Sequence, residues 1–245
     1  MIKFIPYIFS KNELLKYFKN EKQLNNWLLN RIKSNKIKKV RNGLYVSLDQ
    51  AGCITSTKFE IASKITNDSY VSYHSALEYY GCANQVFNSV IVSSSSRFNN
   101  FEFESIDYIG KVSKNYIDVV YTIQSGIRIS SLERTIVDCI DNINLAGGIE
   151  EVLNALEQTK FLNETKLLNI LESYNQVLLY QKVGYILEQY KEQLNISDNF
   201  FSECKSKLTN QVKYFLKNEF KDIEYNPVWK LMAPKNLKSC INGGL

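Results

Sequence analysis

Lys22, Asn25, Asn26, Asn30 and Lys33 recur so that a helix drawn through them carries all five on one face. An asparagine amide can make paired hydrogen bonds to an adenine edge, and a lysine reaches phosphate or guanine. The face therefore has the chemistry of a major-groove reader. Four more cations follow at Lys36, Lys38, Lys39 and Arg41. They lie in a stretch that reads as a hairpin, where they suit contact with a sugar-phosphate backbone.

Other residues have types that could serve catalysis. The single histidine, His74, stands in Tyr73-His-Ser75. Neighbours in sequence on a helix point apart, so His74 and Ser75 do not make a triad, which needs convergence in space. A helix-start residue with a packing or hydrogen-bonding role is the simpler reading. Glu102, Glu104 and Asp107 could be imagined as nuclease carboxylates, with Glu102 and Glu104 on one strand face. Metal-dependent cleavage wants acids converging on one side, with a lysine close by. No Glu-x-Lys follows here, and a charge-dressed strand edge explains the acids as well. Ser93-Ser-Ser-Ser-Arg97 lacks the glycine and paired aspartates of nucleotidyl transfer, and no phosphate-cradling glycine loop occurs. The expectation is a non-enzyme with no catalytic residue, metal or cofactor. A metal-dependent nuclease is kept as the lesser alternative.

The elements that must position the cationic face are compact. Ser10-Lys-Asn-Glu13 has the form of a capping box and opens a short helix with Leu14, Leu15 and Phe18 inward. The segment before it, Ile2 to Phe9, is a short helix or an arm. A second helix starts after a turn near Lys19 to Lys22 and runs to about Asn35, with Leu24, Trp27, Leu28 and Ile32 as its apolar stripe. Two alternating runs then flank Asn42-Gly43, a strong hairpin signal whose two turn positions both favour positive φ. Helix, turn, helix and basic hairpin is the order of a winged helix-turn-helix.

Charge supports the same division. Residues 1–50 hold eleven Lys or Arg against three acids, an excess of eight, whereas the whole 245-residue chain carries only +5. The rest is mildly acidic. A cationic head on an acidic body is the footprint of a polyanion binder. Five scattered cysteines without close pairs fit a reducing, cytoplasmic setting. The only apolar stretch near the start is too short to span a bilayer, so no membrane association is expected.

The body, residues 51–245, reads as α+β. Helices are expected at 56–66 and 72–80, then strands at 89–93, 101–109, 117–123 and 126–130. Further helices follow at 132–142, 149–158, 164–174, 176–194 and 198–204, with Ser131, Thr165 and Ser197 as caps and Gly147-Gly148 as a break. The tail after Phe215 reads as irregular. Glu133, Arg134 and Asp138 share one helix, and the four-residue spacing lets Arg134 pair with Asp138. A structural role is expected for these three, with contact to a protein partner as the alternative. The fold expected overall is an N-terminal winged helix-turn-helix (1–50) and a larger mixed domain (51–245) with a small sheet and a helical C-terminal half.

These segments resemble a known family. Arg41-Asn-Gly-Leu-Tyr-Val46 resembles the R-x-G-L-Y wing of the AbiEi family, antitoxin regulators of type IV toxin–antitoxin (abortive infection) systems. Ser72-Tyr-His-Ser-Ala-Leu-Glu-Tyr-Tyr-Gly81 is similar to that family's S-x-x-S-A-L-x-x-x-G segment, and Ser131 to Asp138 to its S-x-E-R-T-I-x-D helix. Gly147-Gly148 and Gln181 to Glu188 fit in the same order, so the likeness extends from about residue 10 to Trp229. The resemblance implies a cytoplasmic repressor that binds double-stranded operator DNA of its own operon. It also implies an antitoxin that counteracts a nucleotidyltransferase-like toxin. Winged modules normally bind paired half-sites, so a dimer on DNA is expected. The other reading is a protein-interaction module whose basic head docks an acidic partner. The head is short for a three-helix core, so it is expected to borrow packing from the body.

Overall fold

A computed structural model describes residues 6–216, 220 and 222–237. The first part of the Ile2 to Phe9 segment and Cys240 lie outside the described residues. In chain order the elements begin with β1 (Ile8–Ser10), α1 (Lys11–Leu15), α2 (Glu21–Lys33), β2 (Ile37–Arg41) and β3 (Leu44–Ser47). Next come α3 (Lys58–Ala62), β4 (Tyr70–Val71), α4 (His74–Tyr79), β5 (Ser89–Ser94), β6 (Phe101–Phe103), β7 (Ile106–Val112), β8 (Val119–Tyr121) and β9 (Arg128–Ser130). The helical stretch comprises α5 (Leu132–Asp141), α6 (Ile143–Ala146), α7 (Ile149–Gln158), α8 (Glu164–Tyr174), α9 (Val177–Glu188), α10 (Lys191–Leu194) and α11 (Asp198–Ser206). Three short strands end the described chain: β10 (Lys213–Tyr214), β11 (Glu224–Asn226) and β12 (Leu231–Ala233). The fold is mixed α+β.

The chain divides into two compact units, but not after residue 50. The first holds residues 1–71, 87–114 and 121–129; the second holds 72–86, 115–120 and 130–245. The basic head therefore shares its unit with most of the sheet. The reason is contact: β2 packs against β6, which lies 60 residues further along.

In the first unit the head has a small core of its own, made by Phe9, Leu14, Leu24, Leu28, Ile37 and Tyr45. The segment before α1 is a strand. It pairs antiparallel with β3, whose other neighbour is β2, giving the order β1-β3-β2. The capping box forms, with the Ser10 hydroxyl accepting from the Glu13 N–H at 3.2 Å and the Glu13 carboxylate accepting from the Ser10 N–H at 2.6 Å. Asn20 caps α2, accepting from the Gln23 N–H at 2.9 Å. At the β2–β3 turn only Gly43 takes positive φ, at 83°, and Asn42 does not. The register slips between Lys39 and Arg41, so the strand is bulged at Val40. A bulge adds the twist that a two-residue turn of positive-φ residues would otherwise supply.

The remaining strands of this unit run β6-β7-β5-β4-β9, with α3 packed on β4 and β5. The expected strand 101–109 is two strands folded back on each other. Glu104 (φ 51°) and Ser105 (φ 59°) make the turn, although neither is glycine or asparagine. Strand β5 runs parallel to β7, so the β6–β7 hairpin adds to the sheet from its outer edge.

In the second unit α5 is the hub, packing against α4, α7, α8 and α9. Ser131 caps it through the Arg134 N–H at 3.2 Å. Asn163, not Thr165, caps α8 through the Lys166 N–H at 3.1 Å. The expected helix 176–194 is two, α9 and α10, separated at Gln189 and Tyr190. Among the described residues of the tail, where an irregular stretch is expected, β11 and β12 join β10 in a small sheet of order β10-β12-β11. What organises it is Trp229, fully buried, whose indole N–H donates to the Glu188 carboxylate at 2.7 Å. The ring lies so close to Gly184 that a Cβ there would sit 2.1 Å from a ring carbon.

Candidate nucleic-acid interface

Helix α2 buries Leu24 and Leu28 and turns the opposite side outward. Lys22, Asn25, Asn26, Asn30 and Lys33 are all exposed there. Two residues of the expected apolar stripe are not core. Trp27 is half-buried, edge-on to Phe18 with ring centroids 5.7 Å apart, and the Arg31 guanidinium sits 5.2 Å above its ring. Ile32 is exposed near the helix end. Leu29, 55 % exposed, lies among the polar side chains of the outward face.

The hairpin cations divide into two groups. Lys36 and Lys39 are exposed, with no ion-pair partner among the described residues. Lys38 forms a salt bridge with Glu104 at the β6–β7 turn and lies 5.8 Å over the Phe103 ring. Arg41 stacks its guanidinium on Phe98 and Phe101, 5.4 and 5.1 Å from the ring centroids. Burial pulls the Arg41 pKa down, and its Nη1 is buried without a hydrogen-bond partner among the described residues. Two of the nine residues expected at a DNA surface are thus engaged within the chain. All four hairpin cations are expected to face outward; the register shift between Lys39 and Arg41 interrupts the strand's alternation just before Arg41.

The carboxylates expected on one strand do not share a face, because Glu104 leaves the strand for the turn. Glu102 instead faces Asp107 across the β6–β7 register, both exposed. Among the described residues no three His, Cys, Asp or Glu side chains group as a metal site would require. Ser94 and Ser95 are tied into the loop after β5: the Ser94 hydroxyl donates to the Ser96 carbonyl at 2.6 Å, and the Ser95 N–H to Asp68 at 3.0 Å.

The second unit buries the polar residues that the sequence singled out. Arg134 is 1 % exposed and Asp138 2 %, and they pair through Nε and Oδ1 at 2.8 Å. The Arg134 guanidinium also donates to the Ile117 carbonyl at 2.9 Å and lies 5.0 Å from the Tyr174 ring centroid. The Tyr174 hydroxyl donates to the same Asp138 oxygen. Burial pushes the Asp138 carboxyl up, while the Arg134 cation and the Tyr174 hydroxyl pull it back. Glu133 accepts from the Asn163 N–H at 3.1 Å and pairs with Lys166 at 3.7 Å. His74 meets Glu151 at 3.2 Å, both fully buried, and the same Glu151 oxygen accepts the Asn84 and Gln85 N–H groups at 2.7 and 3.1 Å. Sequence reasoning missed Glu151. An acid in the first turn of a helix that follows two glycines looks like an ordinary exposed partner of the helix dipole.

No family model matches the chain, and no curated protein does. Among solved structures, the chain resembles the crystal structure of the RV2827C protein from Mycobacterium tuberculosis. The TM-score is 0.64 at 10 % sequence identity, over 97 % of this chain and 90 % of that one. At that identity the likeness concerns the fold alone. No helix among the described residues is long and apolar enough to cross a membrane.

Proposed function

We propose that the chain is a double-stranded-DNA-binding transcriptional repressor, with the head acting as a winged helix-turn-helix and α2 as the helix that enters the major groove. The observation that carries this reading is the outward face of α2. Three asparagines and two lysines are solvent-exposed on a helix whose opposite side is anchored by Leu24 and Leu28. The element order strand, helix, helix, hairpin, with β3 between β1 and β2, supports it too, because a winged module likewise follows its helix pair with a hairpin. Lys36 and Lys39 remain available for phosphate, whereas Lys38 is paired with Glu104 and Arg41 is stacked on Phe98 and Phe101. The resemblance to AbiEi antitoxins extends the proposal. The protein would act in the cytoplasm, repress its own operon, bind paired half-sites as a dimer on DNA and counteract a nucleotidyltransferase-like toxin. It would not itself be an enzyme.

The test is fluorescence anisotropy of the full chain on labelled DNA from upstream of its own gene and on a scrambled duplex, over a range of salt. Log affinity is expected to fall linearly with log salt. Each of Lys22→Ala, Lys33→Ala and Lys36→Ala would make the slope shallower by about 0.9. Asn26→Ala and Asn30→Ala would each cost about 1–3 kcal/mol on the specific duplex and little on the scrambled one. Lys38→Ala and Arg41→Ala would leave the slope unchanged. Binding indifferent to salt, or equal losses for all variants on both duplexes, refutes the reading. Sequencing the neighbouring reading frames for a nucleotidyltransferase-like gene, and scoring growth on its co-expression with this chain, tests the antitoxin part.

One observation favours a second reading. Leu29 is a large apolar side chain exposed in the centre of the proposed face. It could meet a thymine methyl, but it would equally suit docking of the basic head on an acidic protein. Under that reading Leu29→Asp abolishes capture of a protein partner while DNA fails to compete.

A further inference from the structure

The first unit contains a cavity of about 730 Å³ between the end of α2, strand β2, the segment 48–58 and the β6–β7 hairpin. That is within the 300–1,000 Å³ range of pockets that engulf small organic molecules. The apolar part of its wall is formed chiefly by isoleucines, Ile32, Ile37, Ile54, Ile61 and Ile106. Ile32 is the residue that helical spacing assigned to the core and that the structure leaves uncovered. Asn35 and Lys58 also line the cavity, the Lys58 ammonium donating to the Phe87 carbonyl at 3.4 Å, and three further polar features bear on what it would hold. Lys39 is exposed and has no ion-pair partner among the described residues. The Lys38–Glu104 salt bridge also lines the cavity, with both side chains about half exposed. The Ser56 hydroxyl, also in the wall, is buried and has no hydrogen-bond partner among the described residues. A buried polar atom without a partner costs free energy that a bound acceptor or donor would recover.

The geometry points to a binding site for a small amphipathic acid, a molecule with an aliphatic or aromatic body and one carboxylate or comparable anionic group. The body replaces water against the isoleucines, the reverse of the exposure that Ile32 now carries. The anionic group takes Lys39 and competes with Glu104 for Lys38, and Ser56 supplies a hydroxyl. A cationic ligand has only Glu104 to meet, and that carboxylate already holds Lys38. The site shares Lys39 with the phosphate contact proposed for the hairpin, but its test uses no DNA, so it stands or falls separately from the role proposed for the α2 face.

Cys53 gives a readout at the site itself. It lines the cavity and is exposed, whereas Cys82, Cys139 and Cys204 are buried. In a full-length Cys240→Ser background, the rate of Cys53 modification by an aromatic disulfide reagent is measured with decanoate added below its micellar range. Decanoate is expected to slow the reaction in a saturable way, and decan-1-ol is expected to protect at least tenfold less well. Ile54→Trp, which fills the cavity, would remove the protection. Lys39→Glu would weaken it about tenfold or more, and because Lys39 is exposed this variant leaves the fold in place, as circular dichroism would verify. Absence of protection, or protection unchanged in both variants, overturns the site. Equal protection by decan-1-ol overturns its assignment to an acid.

Discussion

Asp138→Ala tests what holds the second unit together. Arg134 cannot shed its proton at accessible pH, and here it is sealed from solvent. It pairs with the Asp138 carboxylate at 2.8 Å. Removing that carboxylate takes away this ion pair and leaves neutral acceptors such as the Ile117 carbonyl at 2.9 Å. It also strips the Tyr174 hydroxyl of its acceptor. Breaking one partner of a buried ion pair costs about 3–5 kcal/mol. The lost tyrosine bond lies within the same network and is not added separately. For a unit of this size each kcal/mol moves Tm by about 2–4 °C, so the expected fall is roughly 6–20 °C. The assay is thermal and urea unfolding followed by Trp229 fluorescence in a Trp27→Phe background, so that the signal comes from the second unit. Asp138→Asn, which keeps one acceptor oxygen, should lose less. The double variant Arg134→Met with Asp138→Leu should be more stable than Asp138→Ala, because no orphaned charge is left behind. A Tm fall below about 2 °C for Asp138→Ala would refute the reasoning. So would a double variant whose loss equals the sum of the singles, since the two residues would then not be coupled.

Other expectations follow from single features. Gly184→Ala should destabilise the second unit by about 1–3 kcal/mol or more, since the new methyl would overlap the Trp229 ring; urea denaturation that leaves the midpoint unmoved would mean the ring is free to retreat. Ser105→Gly should stabilise the first unit by about 0.5–1 kcal/mol, because glycine adopts the left-handed turn position without the steric cost serine bears, and a loss of stability would show that the Ser105 side chain holds the turn. Burial raises the hydroxyl pKa of Tyr80, Tyr108 and Tyr174 well above normal, and that of Tyr190 to about 12. The unfolded chain releases these protons near pH 10, so the stability they represent is fully present below pH 10 and is lost as pH rises above it. Urea midpoints that stay flat from pH 9 to about 11 would contradict this.

Much of the local structure was legible in the residues themselves. The capping box at Ser10 and Glu13, the apolar spacing of Leu24 and Leu28 and the hairpin at Gly43 are interactions over three or four positions, and chain geometry fixes them wherever they occur. The i, i+4 pairing of Arg134 with Asp138 belongs to the same class, although the sequence did not reveal that it is buried. Excess positive charge in the first fifty residues was equally a property of the chain alone.

What tertiary structure decided is where those groups point and what meets them. Arg41 and Lys38 look like free surface cations until Phe98, Phe101 and Glu104 arrive from a segment some sixty residues away. His74 and Glu151 are 77 positions apart, and nothing local in either signals that burial joins them. Ile32 carries the right spacing for a core residue, yet the helix ends over a cavity and leaves it uncovered. Periodicity records which side of an element is apolar; only the packing of distant segments determines whether that side is covered, and by what.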